Sequence, residues 1–172
     1  MGNAGSVMIK ADTASFDGQG RLNPTGAFSA VKENGIGQGG SVNVTARSLS
    51  LTHGAGLITS TLGQGNAGNV AINAETISFD GEGSNSLFPS SGAYSRVEEG
   101  AVGQGGRIEI GTQSLSLTHG AVVNTSTLGQ GNAGRITVKQ ADTVFLDGQS
   151  QGGSPSRLFA DTQSSGNAGE LI

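Results

Sequence analysis

Gly63-Gln64-Gly65-Asn66-Ala67-Gly68-Asn69-Val70-Ala71-Ile72 returns almost unchanged as Gly129-Gln130-Gly131-Asn132-Ala133-Gly134-Arg135-Ile136-Thr137-Val138. Shorter copies of the same glycine-rich module end at Gly5, Gly40, Gly106 and Gly169, each followed by one polar residue and then an aliphatic one. The final glycines are spaced by 35, 28, 38, 28 and 35 residues, so long and short units alternate. A phased repeat of this kind marks an array of supersecondary units, and it governs how the rest of the chain is read.

Working outward from the module, apolar residues alternate with polar ones. Val7/Ile9, Val42/Val44, Val70/Ile72, Ile108/Ile110 and Ile136/Val138 follow the glycines. Period two over four or five residues predicts a half-buried strand. A second strand is predicted around Ala14/Phe16, Leu49/Leu51, Ile77/Phe79, Leu115/Leu117 and Val144/Leu146, closing on Gly18, Gly54, Gly81, Gly120 and Gly148. Glycine there suits a bend that needs positive φ. A third strand follows in the short units at 55–61 and 121–127. Ile58 and its counterpart Asn124 should face out, with Leu57/Val123 and Thr59/Thr125 facing in.

The long units carry extra residues at 19–25, 82–91 and 149–156, and Pro24, Pro89 and Pro155 all fall there. Proline cannot donate to a strand ladder, so these stretches read as loops beside the sheets. No window has helical periodicity with caps. The economical solution is an all-β, right-handed parallel β-helix, a β-solenoid of about five turns with three short strands each. The turns fall near 2–36, 37–64, 65–102, 103–130 and 131–165, with a partial turn at 166–172. Stacked units bury a continuous column that no single unit could bury. An antiparallel sandwich fits less well, because two-residue hairpin turns between paired strands are missing.

Ser-Leu-Ser-Leu-Thr-His-Gly-Ala (48–55 and 114–121), Thr-Ser-Thr-Leu-Gly-Gln-Gly-Asn-Ala-Gly (59–68 and 125–134) and Ser-Gly-Ala-Tyr-Ser-Arg-Val-Glu-Glu-Gly-Ala-Val-Gly-Gln-Gly-Gly (91–106) carry a resemblance over nearly the whole chain. The chain resembles the repeat region of filamentous-haemagglutinin-like exoproteins of the two-partner secretion route, most of all the large cyanobacterial members. The resemblance implies a right-handed β-helix, an outer-membrane secretion partner, a secreted or outer-cell-surface location and a shaft role in an adhesin-like protein. It carries over no functional residue. Met1 directly before Gly2-Asn3-Ala4-Gly5 reads as a start codon on an excised fragment, with export signals outside it.

Composition narrows the function classes. The 172 residues carry a formal net charge of −4, which disfavours a nucleic-acid surface. There are no cysteines, so no disulfide or thiolate metal site forms. No apolar run approaches the ~20 residues of a membrane span. Charged residues are only 13% of the chain, few for a catalytic cleft; the nearest carboxylates are Asp12, Glu75 and Asp142, at one corner of alternate units. The Gly-x-Gly spacings lack the following helix that a phosphate loop needs. The Thr-Ser-Thr runs would suit ice binding only as a regular outward array, which the long units interrupt. Asn3, Asn66, Asn132 and Asn167 recur at one corner, where the expectation is a turn residue bonding its own backbone.

The reading is therefore non-catalytic, with no cofactor expected: a structural, adhesin-like shaft. The alternative is a glycan- or cell-binding module using the three loops, with Arg21, Phe88 and Arg157 as candidate contacts. A polysaccharide-active enzyme is the third reading. An excised solenoid exposes both ends, so head-to-tail self-association is expected. One column remains. Asp17, His53, Asp80, His119 and Asp147 each precede a bend glycine, which would alternate acid and imidazole along one corner. Ligands in a line suit a metal poorly, since a metal gathers them round a point. The expected effect is electrostatic, with each histidine between two carboxylates.

Overall fold

The computed structural model describes residues 2–19, 25–83 and 90–172. Among them there are strands and turns but no helix, and hence none long and apolar enough to cross a membrane. The strands are β1 (Val7–Lys10), β2 (Thr13–Asp17), β3 (Gly26–Val31), β4 (Ser41–Thr52), β5 (Gly56–Thr61), β6 (Asn69–Asp80) and β7 (Gly92–Val97). They continue as β8 (Arg107–Gly111), β9 (Ser114–Thr118), β10 (Val122–Asn124), β11 (Arg135–Lys139), β12 (Thr143–Asp147), β13 (Arg157–Phe159) and β14 (Glu170–Leu171).

All pairings between these strands are parallel, and they form two sheets whose strands stack unit on unit, an arrangement consistent with a β-solenoid. The nine-stranded sheet runs β1-β4-β6-β8-β11-β14 with β2, β9 and β12 attached; the five-stranded sheet runs β13-β10-β7-β5-β3. Two sheets stand where three were expected. In β4 and β6 the first and second strands of the unit merge into single 12-residue strands. Pairing skips only Arg47 and Glu75, which lie opposite each other, so the corner is a bend within a strand rather than a break between strands.

The period-two reading holds in the core. Val42, Val70, Ile108 and Ile136 form one buried column, and Leu49, Ile77 and Leu115 another. Leu51, Phe79 and Leu117 stack directly and are fully buried. Each such side chain contributes about 1.5–3 kcal/mol by leaving water. The columns lose their cover at β12, whose Leu146 is paired to Leu117 yet 42% exposed because, among the described residues, β9 is its one strand neighbour.

Opposite this apolar wall the five-stranded sheet contributes an apolar column, Ala27, Leu57, Ala93 and Val123, and beside it a polar one. Ser29, Thr59 and Ser95 are in register and buried. Ser29 Oγ donates to the Gly5 carbonyl at 2.6 Å, Thr59 Oγ1 to the Gly68 carbonyl at 2.9 Å, and Ser95 Oγ to that carbonyl at 2.7 Å. These hydroxyls fasten the five-stranded sheet to the glycine corner and are satisfied in doing so. The threonines of the Thr-Ser-Thr runs thus point inward, and no outward threonine array exists among the described residues.

Glycine is needed at that corner for close approach. A Cβ on Gly68 would lie 1.7 Å from the Gly40 carbonyl oxygen, and one on Gly134 would lie 1.7 Å from that of Gly106.

Candidate functional site

The Asp/His positions do come together, but not as a uniform alternating column. Asp17 pairs in register with Thr52, Thr52 with Asp80, Asp80 with Thr118, and Thr118 with Asp147. The histidines lie one residue further on. Thr52-His53-Gly54-Ala55 closes through Ala55 N–H to the Thr52 carbonyl at 3.0 Å, with φ of 49° at His53 and 85° at Gly54. Thr118-His119-Gly120-Ala121 repeats it, with φ of 50° and 82°. Two successive positive φ values are the signature of a tight I′-type turn. In the long units the chain leaves this point differently. The Asp17 carboxylate accepts from the Gln19 backbone N–H at 2.8 Å, and Asp80 from that of Glu82 at 2.9 Å.

The turn aims each imidazole back toward the preceding unit. His53 Nδ1 lies 2.9 Å from Asp17 Oδ1, and His119 Nδ1 2.9 Å from Asp80 Oδ1. Among the described residues each histidine is hydrogen-bonded to one carboxylate rather than two, that of the preceding unit, while Asp147 accepts the His119 backbone N–H at its carbonyl and acts on the imidazole only through its charge. The hydrogen bond to Asp80 and the charge of its carboxylate hold the His119 pKa above its ordinary value, with smaller help from Glu82 and Asp147. The Gln19 N–H, and then His53, hold Asp17 below the ordinary carboxylate value. Among the described residues no three histidine or carboxylate side chains gather round a point.

Asp12, Glu75 and Asp142 share a corner column with Arg47 and Gln113 between them. Asp142 N–H donates to the Gln113 carbonyl and Gln113 N–H to that of Glu75, while the Arg47 guanidinium holds Asp12 Oδ1 at 2.6 Å. The carboxylates are spaced apart along an open edge and converge on no common atom.

On the outer face of the five-stranded sheet, Phe28, Ile58, Tyr94, Asn124 and Phe159 lie in register. Ile58 is half-buried, but Asn124 is buried, so this outward position is covered in the second short unit. Arg157 stacks over the Phe159 ring at 4.2 Å from its centroid, and Arg96 lies 5.2 Å from that of Tyr94. The Tyr94 hydroxyl donates to the Ser90 carbonyl at 2.6 Å, and burial pushes its pKa up to about 12. Of the candidate loop contacts, Arg157 sits at the start of β13. Arg21 and Phe88 lie outside the described residues, with most of the first two loops. The third loop is closed by a Gln149–Pro155 bridge.

The feature that single residues concealed is at the asparagine corner. Asn3 Oδ1 accepts from the Gln38 backbone N–H at 2.9 Å, and Gln38 Oε1 from that of Asn66 at 3.2 Å. Asn66 Oδ1 then accepts from Gln104 at 2.9 Å, Gln104 Oε1 from Asn132 at 3.1 Å, and Asn132 Oδ1 from Asn167 at 2.8 Å. The asparagines do not bond their own backbone; each caps the next unit. Glutamine takes the same place in the Gly-Gln-Gly-Gly copies, which is the signal that links them. Comparison with family models, with curated proteins and with solved structures gives no match.

Proposed function

We propose that this chain is a right-handed β-helix of about five turns serving as a non-catalytic, rigid shaft in a secreted, adhesin-like exoprotein. The observation that carries it is the unbroken polarity of the stack. From Asn3 to Asn167 every step of the carboxamide ladder runs in one direction, beside parallel strands that keep register from β1 to β14. Such an array extends by repetition, and with ~4.8 Å per turn it supplies length and stiffness at low sequence cost. Export through an outer-membrane partner and an outer-surface location come from the family resemblance. The test is immunolabelling with antibodies against this chain. Signal on intact cells or in the culture medium supports the reading. Signal only after lysis would overturn it.

A second reading is a glycan- or cell-contacting module on the loop side of the five-stranded sheet. The exposed Arg157 stacked on Phe159 favours it, because a guanidinium on an aromatic face is a common contact surface. Arg157→Ala should then weaken attachment to a glycan array without changing secretion.

A further inference from the structure

We propose that Asn34-Gly35 is a self-modifying site, where the chain spontaneously deamidates and the isoaspartate formed loosens the corner between the first and second units. This pair is the one place in the sequence where asparagine precedes glycine. Glycine leaves its own nitrogen open to attack the neighbouring carboxamide, since no Cβ shields it.

The pair sits in a tight turn after β3. Gly35 N–H donates to the Lys32 carbonyl at 2.9 Å, and Asn34 takes φ of 61°, a left-handed value that asparagine tolerates. Asn34 is exposed, and its carboxamide has no hydrogen-bond partner among the described residues. To react, the Gly35 nitrogen must leave the Lys32 carbonyl. That bond lies within a single exposed turn, which opens at little cost.

The other asparagines are held differently. The N–H groups after Asn3, Asn66 and Asn132 belong to Ala4, Ala67 and Ala133. Each donates at 2.9 Å to a carbonyl of a neighbouring unit, that of Gln38, Gln104 and Asn167 in turn. Freeing them means parting two units. Asn43, Asn69 and Asn73 lie within paired strands, and Asn124 is buried. The third unit repeats the turn, with Ala101 N–H donating to the Glu98 carbonyl at 3.1 Å, but there Gly100, at φ of 77°, replaces the asparagine.

The chemistry needs only base and water. Base removes the Gly35 N–H proton, and the nitrogen attacks Asn34 Cγ. The new C–N bond closes a cyclic imide as Nδ2 leaves as ammonia. Water then opens the imide. Opening at Cγ gives aspartate, whereas opening at the main-chain carbonyl gives isoaspartate, whose main chain runs through Cβ and Cγ and is one carbon longer. The Gly35 carbonyl accepts the Gln64 N–H at 2.8 Å, a bond from the second unit to the first. Lengthening the chain just before Gly35 displaces that carbonyl.

The test is to age the intact chain in mildly alkaline buffer and map its peptides by mass. The mass gain of deamidation should appear first at Asn34 and faster as pH rises. Its rate should lie within about tenfold of that in denaturant, as for a turn that opens at little cost. Asn34→Gly places the third unit's residue at a positive φ and should abolish the gain with the circular dichroism unchanged. In the isoaspartate-containing fraction the Gln64 amide should exchange faster, while Gln130, which donates to the Ala101 carbonyl at 2.9 Å, keeps its protection. A first gain at Asn85 or Asn167 would overturn the proposal. So would an Asn34 that survives in the folded chain while the denatured chain loses it, or native Gln64 exchange in the isoaspartate fraction.

Discussion

His119 Nδ1 and Asp80 Oδ1 stand 2.9 Å apart across two units that are 39 residues apart in sequence. The contact depends on the I′-type turn aiming the imidazole at the unit before it. The pair favours the imidazolium, so the His119 pKa lies above 6.5. A raised folded-state pKa contributes stability that is full below 6.5 and is lost as pH rises through the folded value. Proton NMR titration at low salt should show this, and Asp80→Asn should return His119 to the ordinary range. An unchanged value in Asp80→Asn would remove the pair from the account.

Asp17 behaves in the opposite sense. Its pKa is depressed, chiefly by the Gln19 N–H. Its contribution is present above the ordinary 3.8 and is lost as pH falls through the lower folded value. Carbon-detected titration of the carboxylates should place Asp17 below the unperturbed range, with His53→Ala recovering only part of the shift.

Phe79 lies between Leu51 and Leu117 in the buried column. Phe79→Ala should cost roughly 3–5 kcal/mol in denaturant melts, since neighbours fixed by strand pairing cannot collapse into the space. A loss under ~1 kcal/mol would contradict the packing.

Gly68→Ala and Gly5→Ala test the close approach with an internal control. Gly68 has the Gly40 carbonyl oxygen 1.7 Å from the site of a new Cβ, while Gly5 has nothing within 4 Å. Gly68→Ala should cost about 3 kcal/mol or more, and Gly5→Ala within about 0.5 kcal/mol.

Asn66→Ala removes one step of the ladder. The Gln104 amide hydrogen should exchange faster and stability should fall by about 0.5–1.5 kcal/mol, while the Gln38 amide, capped by Asn3, stays protected. Equal deprotection at both amides would mean the ladder is not local.

Strand β12 leaves Val144, Phe145 and Leu146 exposed at 46%, 51% and 42%. An apolar edge strand is a template for a further strand, so light scattering should show association that rises with concentration. Leu146→Lys should suppress it. A strict monomer at high concentration would contradict this expectation.

Strand positions, inward faces and the stacking of units were legible in the chain alone, because both the side-chain alternation and the repeat spacing are periodic. Leu51 over Phe79 over Leu117 follows from counting residues. The tertiary structure decided what depends on crossing from one unit to the next. A turn count could not show that β4 and β6 run continuously through their corners, because hydrogen bonds to neighbouring units hold the backbone extended there. It could not set the one-residue offset between aspartate and histidine, because Thr52 rather than His53 occupies the register position of Asp80. Nor could it join Gln38 and Gln104 to the asparagines. Asparagine and glutamine differ by one methylene, and only the spacing between stacked backbones lets either oxygen reach the next unit's N–H and leaves the amide donors facing solvent.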